Sequence, residues 1–485
     1  MPALRSRLSI PRYDRTALVP SVVHLSVGSF HRSHQAVYFE ELARRGHTGW
    51  GLVGVGLRRP DMQAALVAQD GLYTVVSRGR DGDHAQVVGV IRRYLLAPQD
   101  GAAVVAALAD PRTRLVTLTV TAAGYGVDPA SGTFDPQDPD MAADLVEPTR
   151  RRTAIAYLVE ALDRRRRAGL APFTVLSCDN VADNGRIART AVTSFAAVHD
   201  PALARWITEH VTFPSSMVDR ITPRTTDADR AFVAERFGVI DRWPVITEPF
   251  SQWVVEDAFC AGRPPLEEVG ARFVDDVRPY ALLKTRLLNA SHCALAYLGA
   301  QAGHEHADEA MTDPVFASYI AALMQQEVAP LLPPVPGVDV AEYRATTFER
   351  LRNPMLADRL ERLGRWGSGK VPRHVVPSIV AARARGREHP LLTLALAGWI
   401  RHLRGGAQGT GTVQLDDPLA PVLQPLALAA RTDLRPLLAE RSLFGDLGED
   451  AGFVAELAAA QRDLDEFGAR AAIRARLAGE PAVAG

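Results

Sequence analysis

Short apolar runs rich in β-branched residues recur through the first half of the chain. They lie at 20–27 (PSVVHLSV), 50–56 (WGLVGVG), 115–121 (LVTLTVT) and 173–178 (FTVLSC). Each has the length and composition of a buried strand. Helical patterns fall between them, including HRSHQAVYFEELARR after the first run and TAIAYLVEALDRRRRAG before the fourth. Strands alternating with helices predict βαβ units and a parallel sheet. The run Arg164–Arg167 reads as the solvated last turn of its helix. After about residue 280 strand signals nearly vanish. ALLKTRLLNASHCALAYLGAQAG is a long helical pattern closed by glycine. PVFASYIAALMQQEVAPLL, VAEYRATTFERL, HPLLTLALAGWIRHLR and an Ala-rich stretch follow it. The expected fold is α/β plus α: a Rossmann-type parallel-sheet domain over 1–280, then a mainly helical domain over 281–485 that ends in a frayed EPAVAG tail.

Composition narrows the function. The 485 residues are 47% hydrophobic and 23% charged, which excludes wholesale disorder and requires more than one domain. The net charge of −1 argues against a nucleic-acid partner or an anionic membrane surface. Three scattered cysteines, Cys178, Cys260 and Cys293, suit neither a disulfide framework nor a Cys-rich zinc site. The N-terminal MPALRSRLSIPRYDR lacks an apolar core of a signal peptide, and no apolar run is long enough to span a bilayer. The expectation is a soluble cytoplasmic protein, monomeric or a small homo-oligomer, that binds no metal.

The turn after the first strand is where a dinucleotide would sit. The full G-x-G-x-x-G is absent: Ser26-Val-Gly28-Ser29-Phe30-His31 carries one glycine, ahead of a helix N-terminus. Gly28, Ser29 and Phe30 are the candidate pyrophosphate contacts. Asp61, after the second strand, can accept from ribose hydroxyls, or else cap the next helix. Arg58 and Arg59 beside it leave room for a 2′-phosphate, so the cofactor reads as NAD with NADP still open.

Of the 55 lysines and arginines only two are lysine, Lys284 and Lys370, and only four residues are asparagine. Where arginine supplies general positive charge, a retained lysine marks a position that arginine cannot fill, because lysine can be deprotonated and arginine cannot. Lys284, His292 and Asn289 fall at roughly 0°, 80° and 140° around a regular helix and span roughly 12 Å of its axis. Leu283, Leu287 and Leu288 would desolvate the Lys284 ammonium and make it a base toward an alcohol. Asn289 can donate to the developing alkoxide. Asn180, at the end of the fourth strand in Ser177-Cys-Asp-Asn180, is a second such donor. Asn184-Gly185 reads as a turn, and Asp219 as part of a polar loop.

Six segments in order carry a resemblance. They are Gly28-Ser-Phe-His-Arg-Ser-His-Gln35, Ser177-Cys-Asp-Asn180, Met217-Val-Asp-Arg-Ile-Thr-Pro223, Glu248-Pro-Phe-Ser-Gln-Trp-Val254, Lys284 through His292, and Gly367-Ser-Gly-Lys370. The chain resembles the mannitol dehydrogenase family of polyol dehydrogenases and reductases over about residues 20–380. The resemblance implies a cleft between a Rossmann-type and a helical domain. It also implies metal-independent hydride transfer between NAD(P) and a polyol or ketose. Lys284 then matches the general acid/base, and Asn180 and Asn289 the pair that polarises the oxygen. Asp219, His292 and Lys370 match binders of substrate hydroxyls. Departures from the family pattern are Ser26 for glycine, Pro60 for an acidic residue, Ala122 and Ala123 in Thr121-Ala-Ala-Gly-Tyr125, and Ala281 for glutamate. Arg373 can pair with a uronate carboxylate, but it is offset from the position in uronate-acting relatives, and Ser251 stands where they carry arginine. D-mannitol with D-fructose is therefore the expected pair, ahead of arabinitol, sorbitol, fructuronate or tagaturonate. A sugar- or dinucleotide-binding regulator without turnover is the reading from another class.

Overall fold

The computed structural model describes residues 8–128, 131–405, 415–479 and 482. Apart from Ala482, the EPAVAG tail lies outside them. The chain divides into two compact units, Met1–Arg278 and Pro279–Gly485.

Among the described residues the first unit holds twelve strands: β1 (Leu8–Ser9), β2 (Pro20–Leu25), β3 (Gly51–Gly56), β4 (Tyr73–Gly79), β5 (Gly82–Val88), β6 (Ile91–Leu96), β7 (Leu115–Leu118), β8 (Thr174–Ser177), β9 (Ser216–Asp219), β10 (Val245–Thr247), β11 (Gln252–Glu256) and β12 (Arg272–Val274). Five form an all-parallel sheet in the order β6-β3-β2-β7-β8. Numbered along the chain within this sheet, the order is 3-2-1-4-5, the Rossmann arrangement, which reverses direction between β2 and β7. Alternation along the strands explains why both faces are covered. Val22, Leu52, Leu115 and Leu176 point into one core cluster, while Val23, Val53, Val116 and Val175 point into the other. All four expected strands are in this sheet. Two smaller sheets, β1-β5-β4-β10 and β12-β11-β9, accompany it.

The expected helix after β2 is broken. Ser29–Ser33 and Gln35–Arg44 are separated by His34, whose φ of −115° and ψ of −90° leave the helical region. Helix Ala154–Arg167 matches its pattern and is capped by the Thr153 side chain. At its basic end Arg164 and Arg167 are exposed, as the solvated turn requires, but Arg165 is not. Arg165 is buried, donates to the carbonyls of Leu108, Asp110 and Ala171, and lies over the Phe173 ring. Three carbonyls and an aromatic face replace its water.

The second unit is helical. Its first long helix runs α over Arg278–Lys284, π over Thr285–Asn289, α over Ala290–Ala294 and π again over Leu295–Gly299. A third π segment, Leu323–Val328, follows helix Pro314–Ala322. Among the described residues, no helix is long and apolar enough to cross a membrane.

Candidate active site

In the first unit Gly28, Ser29, Phe30, Asp61 and Asn180 follow the carboxyl ends of parallel strands. Ser26 leaves β2 with φ at +74°, a conformation that favours glycine, and its N–H is held by Val55 O at 2.8 Å. Gly28 then adopts extended backbone and precedes Ser29–Ser33. A Cβ built on Gly28 meets no protein atom within 4 Å. The backbone next to the β2/β7 switch point therefore faces open space, which suits the approach of a pyrophosphate. Asp61 is exposed and begins helix Asp61–Val67, whose cap position is Pro60. Arg58 is exposed and pairs with Asp140 at 2.6 Å.

Asp179 joins the ends of β7 and β8, a role the sequence reading missed. Its carboxylate accepts from the N–H groups of Val120 and Thr121 at 3.0 and 2.7 Å and from the Tyr125 hydroxyl at 2.7 Å. Burial raises its pKa against the pull of those three donors. Exposed Asn180 follows directly. Asn184-Gly185 is more than a turn. Asn184 is buried, donates to Asp179 O and Ser216 O at 3.0 and 2.8 Å, and accepts from Ser216 N at 2.9 Å. Only a side chain with both donor and acceptor can bridge β8 to β9 in this way. A Cβ on Gly185 would lie 2.4 Å from Phe213 O, so the helix it opens requires glycine there.

Asp219 is not in a polar loop. It ends β9, is 3% exposed, and stands opposite Gln252 in the antiparallel register with β11. Further bonds hold the surrounding segments together. Glu248 accepts from Ile221 N at 2.6 Å, Arg220 donates to Ser33 O and Glu248 O, and Ser33 shares a 2.8 Å hydroxyl contact with Thr222. Three of the six segments singled out from the sequence thus converge, with the first turn after Gly28 among them.

The second unit carries the lysines. Lys284 is 7% exposed, and Asn289 and His292 are half-buried. The expected 100° spacing does not apply to them. Ala290 N–H reaches back to Thr285 O, an i→i+5 bond, so the turn takes in more residues and each advances less. The amide nitrogen of Asn289 is buried and has no hydrogen-bond partner among the described residues. Helix Gly367–His374 packs on Thr285–Asn289 and Ala290–Ala294. It brings Lys370, whose Nζ donates to Leu363 O at 2.9 Å and whose pKa burial lowers from 10.5. Arg373 is exposed. Lys284, Lys370, Arg373 and His292 all act electrostatically on His374. Burial first, then these cations, press its pKa to about 3, so this ring is neutral. No group of three His, Cys, Asp or Glu side chains suited to a metal occurs among the described residues.

The family model described as "Mannitol dehydrogenase Rossmann domain" matches residues 20–268, and that of the "Mannitol dehydrogenase C-terminal domain" matches 276–465. The chain belongs to the mannitol dehydrogenase family. Mannitol 2-dehydrogenase of Phaeosphaeria nodorum is 45% identical over 473 residues, covering 96% of this chain and 83% of that one. Mannitol dehydrogenase 2 of Saccharomyces cerevisiae is 43% identical over 97% of this chain and 95% of its own. Among solved structures, the Pseudomonas fluorescens mannitol 2-dehydrogenase ternary complex with NAD and D-mannitol superposes with a TM-score of 0.89 at 39% identity, covering 98% of this chain and 97% of that one. A substrate-free D-sorbitol dehydrogenase gives 0.87 at 34%, covering 96% and 98%.

Proposed function

We propose that this protein is an NAD-dependent polyol dehydrogenase that interconverts D-mannitol and D-fructose. The observation that carries the reading is the unpartnered, buried amide nitrogen of Asn289 on the same helix as buried Lys284. A buried donor left unpaired costs about 1–3 kcal/mol, and a substrate oxygen satisfies it. In alcohol oxidation Lys284 Nζ takes the hydroxyl proton. Asn289 and Asn180 donate to the oxygen as its charge grows, so the chain's own groups carry that charge without a metal. Asp219, His292 and Lys370 bind the remaining hydroxyls, and Arg373 adds a cation at the end of the same helix. The first unit serves as the dinucleotide domain: Gly28, Ser29 and Phe30 hold the pyrophosphate and Asp61 the ribose hydroxyls. Bound NAD would supply the hydride acceptor for the carbinol carbon. The NAD and D-mannitol complex of a 39% identical relative supports both cofactor and substrate.

The test is NADH and NADPH absorbance with mannitol, arabinitol, sorbitol, fructose and fructuronate, comparing wild type with Lys284→Arg. Mannitol oxidation with NAD, reduced by about 10²–10⁴ in Lys284→Arg, is the expected result. A higher kcat/KM for sorbitol would move the assignment toward the 34% identical D-sorbitol dehydrogenase. Binding of NADH without turnover of any of these compounds would overturn it.

A further inference from the structure

The helix that carries Lys370 begins in an unusual way. Trp366, just before Gly367–His374, has φ at +57°, which a bulky side chain adopts only when its surroundings impose it. Asp416 supplies part of that constraint. Its carbonyl accepts from Trp366 N at 2.9 Å and its carboxylate from the indole N–H at 3.2 Å. The next residue, Asp417, takes the helix start itself, accepting from Ser368 N at 2.7 Å and from the Ser368 hydroxyl at 2.5 Å. Gly367 is fixed from the other side: a Cβ there would lie 2.4 Å from Trp399 Nε1 and 2.5 Å from Tyr297 Oη. The opening of this helix is thus pinned by carboxylates distant in sequence and by two aromatic side chains, and Lys370 follows within its first turn.

We infer that Asp417 is a positioning residue for Lys370: by capping the helix it sets where the Lys370 ammonium stands toward a substrate hydroxyl. This rests on the proposed reading of Lys370 as a substrate binder. A group that holds a remote hydroxyl contributes equally to ground and transition states, so its displacement raises KM and leaves kcat. Asp417→Ala is expected to raise KM for the polyol about tenfold, the scale of a lost charged cap, with kcat within about twofold and NADH affinity unchanged. Asp417→Asn, which keeps an acceptor oxygen, should recover most of the loss. The deciding measurement is the double variant. In a Lys370→Ala background, Asp417→Ala should add little, because the side chain it places is gone. An equal further rise in KM in that background, a parallel fall in kcat, or no change in either background would overturn the inference. Wild-type KM in Lys370→Ala alone would instead refute the reading of Lys370.

Discussion

Gly28→Ala separates folding from cofactor binding. The backbone at Gly28 has φ −123° and ψ −170°, which any L-residue adopts, and the added Cβ has no protein atom within 4 Å. The methyl group therefore strains nothing in the protein, and its effect on unfolding should stay within about 0.5 kcal/mol. The same methyl would intrude on the proposed pyrophosphate seat. Overpacking by one such group costs about 1–3 kcal/mol, or roughly 5- to 150-fold in Kd. Calorimetric melting of the ligand-free protein and titration with NADH measure the two quantities. Gly185→Ala is the control, since its Cβ would lie 2.4 Å from a backbone oxygen and it should lower the melting temperature. Unchanged NADH affinity in Gly28→Ala would remove Gly28 from the cofactor seat. A drop in its melting temperature comparable to the control would refute the open geometry.

Three further outcomes are expected. Ser26→Gly should stabilise the protein by up to about 1 kcal/mol by relieving the left-handed φ; a lower urea midpoint would count against strain at Ser26. Asn184→Ala strips partners from Asp179 O and from both backbone groups of Ser216, and should cost roughly 2–4 kcal/mol in thermal or urea unfolding. Glu327 is 5% exposed, and desolvation raises its pKa from 4.5 to about 7 although Leu391 and Leu392 N–H each donate to it. The folded chain thus holds a proton that the unfolded chain releases. That contribution, roughly 3 kcal/mol, is complete below pH 4.5 and is lost as pH rises through about 7. The stability of wild type relative to Glu327→Gln should fall by that amount between pH 4.5 and 8, and a flat difference would place the carboxyl in its ordinary range.

The central sheet was legible because its strands are buried on both faces and read as unbroken apolar runs. Edge strand β6, Ile91-Arg-Arg-Tyr-Leu-Leu96, was missed because its two arginines interrupt the apolar pattern. Strand β5, Gly82-Asp-His-Ala-Gln-Val-Val88, was missed because polar residues dominate it. Lys284 and Lys370 stood out through the scarcity of lysine, and both act electrostatically on His374. Their angular relation to Asn289 was not legible, since a π turn has no signature in an apolar repeat. Nor were the tasks of Asp179 and Asn184, whose partners at Thr121 and Ser216 lie 58 and 32 residues away.

Those two side chains and Glu248 act as long-range clasps. They close chain loops of 58, 32 and 27 residues by gripping backbone at the strand ends. Doubling such a loop adds only about 0.6 kcal/mol to the entropy of closing it. The positions of the strand ends are therefore insulated from the length of the exposed turns between clasped residues. Within them, exposed stretches such as 146–150 are where added sequence or a tag can enter while the strand ends keep their places.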